Sequence, residues 1–181
     1  MNSRWKLRLA SRADVSILTG LIRRSALELQ QADYSSAQIA LALGPVFGVD
    51  RQLIDDGTYF VVEADSELVA CGGWSFRTAR FGGSDGRIEA QPRLDPNSDA
   101  ARIRAFFVEP VYSRQGIGSA LMEACEAAAI AMGFRRIEIT ATLAGERLYR
   151  RFGYSVVDRI EIPLDGAPAM AAVTMLKLIS A

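Results

Sequence analysis

The segment Ala105 to Met122, AFFVEPVYSRQGIGSALM, constrains this chain more than any other stretch. It begins inside the segment Ala101 to Val108, ARIRAFFV, that reads as a strand and is stopped by Glu109-Pro110. Two glycines one residue apart, Gly116 and Gly118, then open a helical pattern with Ile117, Leu121, Ala124, Cys125, Ala128 and Met132 on one face. A strand that turns through glycines into a long helix places the chain among layered α/β folds. The turn also has a chemical meaning. Its glycines let a ligand approach the backbone, and the first N–H groups of the helix lack partners and sit at its positive end, which favours phosphate. Arg114 adds a cation and Ser119 a hydroxyl, although a glycine turn without a ligand reads the same way. A P-loop is excluded because no Gly-Lys-Ser/Thr triplet exists. A dinucleotide fingerprint is excluded because Leu121 stands where its third glycine belongs.

The flanking segments supply the sheet. Leu7 and Leu9 around Arg8 read as a short strand, and Asp14 starts or caps a helix carrying Val15, Leu18, Leu21, Ile22, Ala26 and Leu29. Tyr34-Ser35-Ser36 precedes a shorter helix with Ile39, Leu41 and Leu43 that ends at Gly44-Pro45, and Val49 to Ile54 adds a further turn. The period then changes to two. Thr58 to Ala64 and Glu67 to Arg77 form a hairpin across Asp65-Ser66, and Phe81 to Ser98 collects the glycines and prolines of a loop. After the long helix, Arg136 to Thr140 is a strand, Leu143 to Phe152 a short helix, and Tyr154 to Ile162 and Ala169 to Ile179 are closing strands. The expectation is a single α/β domain over residues 1–181, with a mixed sheet of about seven strands and helices on both faces.

Composition narrows the chemistry. A chain of 181 residues buries roughly 70% of its unfolded surface, so no metal or disulfide staple is needed. Its 21 basic and 21 acidic side chains cancel, which argues against nucleic acid or a membrane surface as a partner. There is no histidine, which removes Ser-His-Asp and Cys-His nucleophile systems, the imidazole base and every His-containing metal site. Cys71 and Cys125 match no metal or redox spacing and point to a reducing compartment. Cys125 fits the core face of the long helix, and nothing near Cys71 would generate a thiolate. Met1 to Arg8 is followed by no apolar run of signal-peptide length, and no stretch nears the ~18–20 apolar residues of a membrane span. A cytoplasmic location is expected.

Taken together, these segments resemble the GNAT superfamily of acyl-CoA-dependent N-acetyltransferases. The superfamily's pyrophosphate signature, (Gln/Arg)-x-x-Gly-x-(Gly/Ala) between the fourth strand and the next helix, is matched by Ser113-Arg114-Gln115-Gly116-Ile117-Gly118, with Ser113 in place of the first Gln/Arg. Its second signature, a Tyr on a short helix ahead of Gly-Phe/Tyr, is similar to Leu148-Tyr149-Arg150-Arg151-Phe152-Gly153-Tyr154. Thr142 stands where many members carry an Asn, and Thr also caps helices. The resemblance runs from about Leu7 to Ile179 and implies a mostly antiparallel sheet with its fourth and fifth strands splayed. It implies acetyl-CoA as co-substrate, without a metal. The pantetheine arm would lie along the backbone of Phe106, Phe107 and Val108, with an N–H near Phe106 polarising the thioester carbonyl. Arg114, Gln115, Gly116, Ile117, Gly118 and Ser119 would hold the phosphates, with Thr142 also against the cofactor. Tyr149 would protonate the departing thiolate; packing beside Leu148 and Phe152 is its plain alternative.

The implied acceptor is a primary amine of a small molecule or peptide, and its deprotonation is the least legible step. The strand position that carries a Glu in the histone-acetylating branch holds Arg102, which leaves Glu63, Glu89, Glu138 or a water on backbone carbonyls. Alternation places Arg102 and Arg104 on one strand face with Phe106 and Val108, where they would hold a carboxylate or phosphate of the acceptor. Tyr34, Ser35, Trp74, Phe76 and Arg77 are the further candidates for acceptor contacts. A non-catalytic acyl-CoA sensor or assembly module and a ligand-free dimerisation domain are the competing classes; retention of Tyr149 favours the enzyme. Family members often pair, so a homodimer stays open.

Overall fold

The computed structural model describes residues 5–81 and 91–179. In chain order its elements are β1 (Lys6–Leu9), α1 (Val15–Leu29), α2 (Ser36–Ala42), α3 (Arg51–Asp55), β2 (Tyr59–Ala64), β3 (Glu67–Ser75) and β4 (Ala101–Val108). There follow α4 (Ile117–Ala131), β5 (Arg136–Thr142), α5 (Leu143–Arg151), β6 (Ser155–Leu164) and β7 (Ala167–Leu178). The strands form one sheet in the order β1-β2-β3-β4-β5-β7-β6. Among the described strands only β4 and β5 pair in parallel, as expected of two strands joined through the long helix α4.

Local chemistry accounts for the joints. Asp65 and Ser66 both take positive φ, 50° and 66°, closing the β2–β3 hairpin with the twist that adjacent strands need. Ser35 caps α2 by accepting from the Gln38 N–H, while the Gln38 side chain accepts from the Ser35 N–H in return. The strand expected to stop at Ile162 runs on to Leu164 through Pro163. β6 is an edge strand, so the missing N–H costs no ladder bond, and the register shifts at that point.

The sheet carries a core on each face. Leu18, Leu21, Ile39 and Leu53 of α1, α2 and α3 bury one side against Val61, Cys71, Phe107 and Ala172. On the other side Ile117, Leu121, Met122, Cys125 and Ala129 of α4, with Tyr149 of α5, cover Val62, Ala101, Ile103, Ile137 and Val173. Met132, expected on that apolar face, is 49% exposed: α4 ends at Ala131, and Gly133 at φ 96° turns the chain away, so Met122 and Ala129 complete the stripe. Among the described residues no helix is long and apolar enough to cross a membrane, and no group of His, Cys, Asp and Glu could hold a metal ion.

Candidate active site

The centre of the sheet opens. β4 pairs with β5 through Ala101↔Ile137, Arg102↔Glu138 and Ile103↔Ile139 and then leaves it, while β5 stays on β7 as far as Thr142. The cause is a bulge in β4. Ala105 sits at φ 55°, and the register to β3 jumps from Gly73↔Arg104 to Cys71↔Phe107. A left-handed conformation costs a residue with a Cβ about 1–2 kcal/mol, so something must hold it. Gly72 is one support: a Cβ there would lie 2.6 Å from Cδ2 of Phe106, so the Phe106 ring rests directly on the glycine. Tyr59 is the other, its hydroxyl donating to the Ala105 carbonyl at 3.3 Å. Neither residue was singled out by sequence motifs, although the Gly72-Gly73 pair inside a strand was a signal for a close backbone approach.

The bulge corrects the alternation expected along β4. Phe106 and Val108 face α4, whereas Ala105 and Phe107 face the α1 side, and one extra residue puts Arg102 and Arg104 on the face opposite to Phe106 and Val108. Past the bulge, the edge of β4 toward β5 has no strand partner among the described residues. Val108 directs its N–H off the sheet to Ser25 Oγ of α1 at 3.3 Å, and Phe106, two residues earlier, shares that edge.

The turn after β4 brings the start of α4 against α5. Arg114 at φ 61° and Gly116 at φ 87° bend the chain, with Gly116 as N-cap of α4, so the N–H groups of Ile117, Gly118 and Ser119 are the free first-turn donors. The Ile117 side chain is buried in the core, and the Gln115 amide returns to the Val111 carbonyl at 2.9 Å, so these two residues stand at the turn through their backbone. Gly118 lets α5 come close: a Cβ there would meet Leu148 Cδ2 at 3.3 Å. Thr142 caps α5 by accepting from the Gly145 N–H at 3.3 Å. One turn on, the Tyr149 ring lies over Gly145, where a Cβ would come within 2.9 Å of it. That ring stands edge-on to Phe106, centroids 6.3 Å apart, and its phenol is pushed above the ordinary value of 10 by burial.

A cavity follows the splay. Its walls include Ile103 to Phe107 of β4, Ile139 to Thr142 of β5 and Tyr149, with Gln30, Tyr34, Val46, Phe47, Arg80, Ile162 and Met170 on the α1 side. Tyr34 is fastened there, accepting from the Leu143 N–H at 2.9 Å and donating to the Ala171 carbonyl at 2.7 Å. Arg104 reaches the cavity wall but is ion-paired with Asp50, side chains 1% and 0% exposed.

A family model described as the acetyltransferase (GNAT) family matches residues 24–154, which contain the β4–α4 turn, the splay and Tyr149. The chain belongs to the GNAT acetyltransferase family. It is therefore an acyltransferase by kinship. No curated protein sequence matches it. Solved structures give the same fold at low identity. A GCN5-related N-acetyltransferase of Rhodopseudomonas palustris has TM-score 0.72 and 19% identity over 98% of this chain and 97% of that one. The PaiA N-acetyltransferase of Thermoplasma acidophilum, determined with coenzyme A, has TM-score 0.66 and 16% identity over 97% and 99%. The ribosomal-protein-S18-alanine N-acetyltransferase of Escherichia coli has TM-score 0.61 and 16% identity over 98% and 95%.

Within this GNAT fold some sequence-based candidates lie away from the cavity. Trp74 is buried against Phe76 and Phe134 on the α4 side. Arg77 is clamped by Asp56 through two 2.7 Å bonds and by the Gln91 carbonyl at 2.9 Å. Among the candidate bases, Glu63 is tied to Arg8 at 2.7 Å on β2, remote from the splay, and Glu89 lies outside the described residues. Glu138 stands beside Arg102 in register across β4 and β5 and is ion-paired with it. Cys71 is fully buried, which pushes its thiol up to about 12 and keeps it from acting as a nucleophile.

Proposed function

We propose that this chain is an acetyl-CoA-dependent N-acetyltransferase that acetylates a primary amine of a small molecule or peptide by direct transfer. The observation that supports the reading is the β4 edge left by the splay beside Tyr149, with the start of α4 packed close against α5 through Gly118 and Leu148. The pantetheine arm takes the free edge of β4 from Phe106 to Val108, exchanging the long Ser25 contact of the Val108 N–H for a ligand carbonyl. The N–H groups of Ile117, Gly118 and Ser119 take the pyrophosphate, with Arg114 and Gln115 at the turn and Thr142 at the facing helix cap. The Phe106 N–H, just past the bulge, polarises the thioester carbonyl. The neutral amine attacks, the C–S bond breaks, and the thiolate takes a proton from Tyr149 Oη. Burial keeps that phenol protonated, and the proton released by the attacking nitrogen restores it through solvent. Arg102 and Arg80 neutralise Glu138, so the amine arrives already deprotonated or loses its proton to water held on backbone carbonyls.

A thermal-shift panel with acetyl-CoA, CoA and a longer acyl-CoA, followed by CoA release over an amine library, tests this. At about 100 times its Kd the true ligand adds about 2.7 kcal/mol of stability. Stabilisation by acetyl-CoA with amine-dependent CoA release is expected. Stabilisation without release from any amine would favour a sensor, and no stabilisation would refute the cofactor reading.

A further inference from the structure

On the α1 side of the splay two strands and a loop bring three charged side chains together. Glu138 of β5 is ion-paired with Arg102 of β4, and the same carboxylate oxygen lies 3.3 Å from Arg80 Nε in the β3–β4 connection. Two guanidiniums share one carboxylate, so the cluster carries one net positive charge. Its hydrogen-bonding capacity is also unspent: Arg102 Nε is buried without an acceptor among the described residues, as is the Thr140 hydroxyl one step further along that face of β5. Arg80, whose side chain is 53% exposed, and Thr140 both line the cavity.

None of the described residues lining the cavity is acidic. Asp50, behind the lining residue Arg104, is buried and ion-paired with it. An acceptor with a second ammonium, such as a polyamine, would therefore meet net positive charge and, among the described lining residues, no carboxylate to bind it. The remaining wall toward α2 and β7 carries the apolar Val46, Phe47, Ile162 and Met170, with Gln30 and Tyr34 as its polar members. We infer that the acceptor is a free apolar α-amino acid, its carboxylate held by Arg80 and the Thr140 hydroxyl with the Arg102 charge behind them, and its side chain against these apolar residues. The inference rests on the acetyltransferase reading above and specifies its substrate class. Guanidinium suits the role because its planar fork matches a carboxylate with two parallel bonds.

The test is CoA release at saturating acetyl-CoA with methionine and phenylalanine, their amides, a dipeptide beginning with each, and spermidine. The free amino acids are expected to exceed the amides and dipeptides in kcat/KM by about tenfold or more, with spermidine poorest. Arg80→Ala should bring the acid-to-amide ratio close to one, chiefly through KM, and Arg80→Lys should restore part of it. Equal or better turnover of amides, dipeptides or spermidine overturns the inference, as does an Arg80→Ala enzyme that keeps the full ratio. Acetyl-CoA stabilisation with no release from any of these acceptors also overturns it but leaves the cofactor reading standing; loss of the acetyl-CoA stabilisation as well refutes both.

Discussion

Gly72→Ala is the sharpest probe of how this cleft is built. The added Cβ would lie 2.6, 2.7 and 2.9 Å from three atoms of the Phe106 ring. Carbon atoms rest comfortably at about 3.5–4.0 Å, so the ring must withdraw by about 1 Å. Gly72 sits in a central strand and Phe106 directly follows the bulge, so neither backbone can yield cheaply. Overpacking of this kind costs about 1–3 kcal/mol. At about 2–4 °C per kcal/mol for a chain of this length, Tm should fall by roughly 2–12 °C. The displaced ring moves the group that stands edge-on to Tyr149, and misplacing a catalytic group by about 1 Å costs up to ~10²-fold, so kcat should fall as well. Thermal melts and CoA release at saturating acetyl-CoA measure the two effects. Phe106→Ala combined with Gly72→Ala should show the two penalties to be less than additive, because the overlap disappears with the ring. A Gly72→Ala protein with the parent Tm and parent turnover would refute the idea that this ring on this glycine holds the bulge.

Other perturbations follow from the same geometry. Tyr149→Phe should lower kcat by ~10²–10⁴-fold while acetyl-CoA still raises Tm; retained turnover would assign thiolate protonation to water. Gly118→Val should abolish the acetyl-CoA-dependent Tm shift in a protein whose circular dichroism stays native, because a branched side chain fills the space between the helix N-terminus and Leu148. The kcat/KM of two acceptors should rise from pH 6 toward 9, each following its own amine, and burial of Tyr149 raises its pKa and so removes any descending limb before about pH 10. One shared ascending limb near pH 6–7 would reveal a protein base and refute this reading. In stability, Arg8 holds the Asp14 carboxyl well below the usual carboxylate range. That pair therefore contributes above the unfolded pKa of about 4 and is lost as pH falls through the lower folded value, so Asp14→Asn should flatten the acid limb of a Tm-versus-pH curve.

Several parts of the site were legible because they are local. Ser113 to Gly118 announced a glycine-opened helix after a strand, and the structure places Gly116 at the left-handed N-cap. Thr142 was readable as a cap because capping needs only the next few residues. Arg102 and Arg104 show where such reading stops. Strict alternation carried them to the wrong face, because one residue with positive φ in the middle of β4 reverses the phase, and Ala is not a residue that advertises it. Trp74 and Arg77 were drawn toward the acceptor side by their types, yet Phe134 and Asp56, remote in sequence, hold them elsewhere.

The sequence by itself determined the element order, the helix that must begin at Gly116-Ile117 and the Tyr149 that precedes a helix-ending glycine, since propensity, period and capping act over a few residues. Tertiary structure alone decided that Gly72 makes room for Phe106, that Tyr59 pins the Ala105 carbonyl, and that Arg80 and Arg102 share Glu138. Each of those depends on which strands lie side by side and in what register. Register is set by packing over the whole sheet, so a contact between residues dozens of positions apart leaves no local trace in either segment.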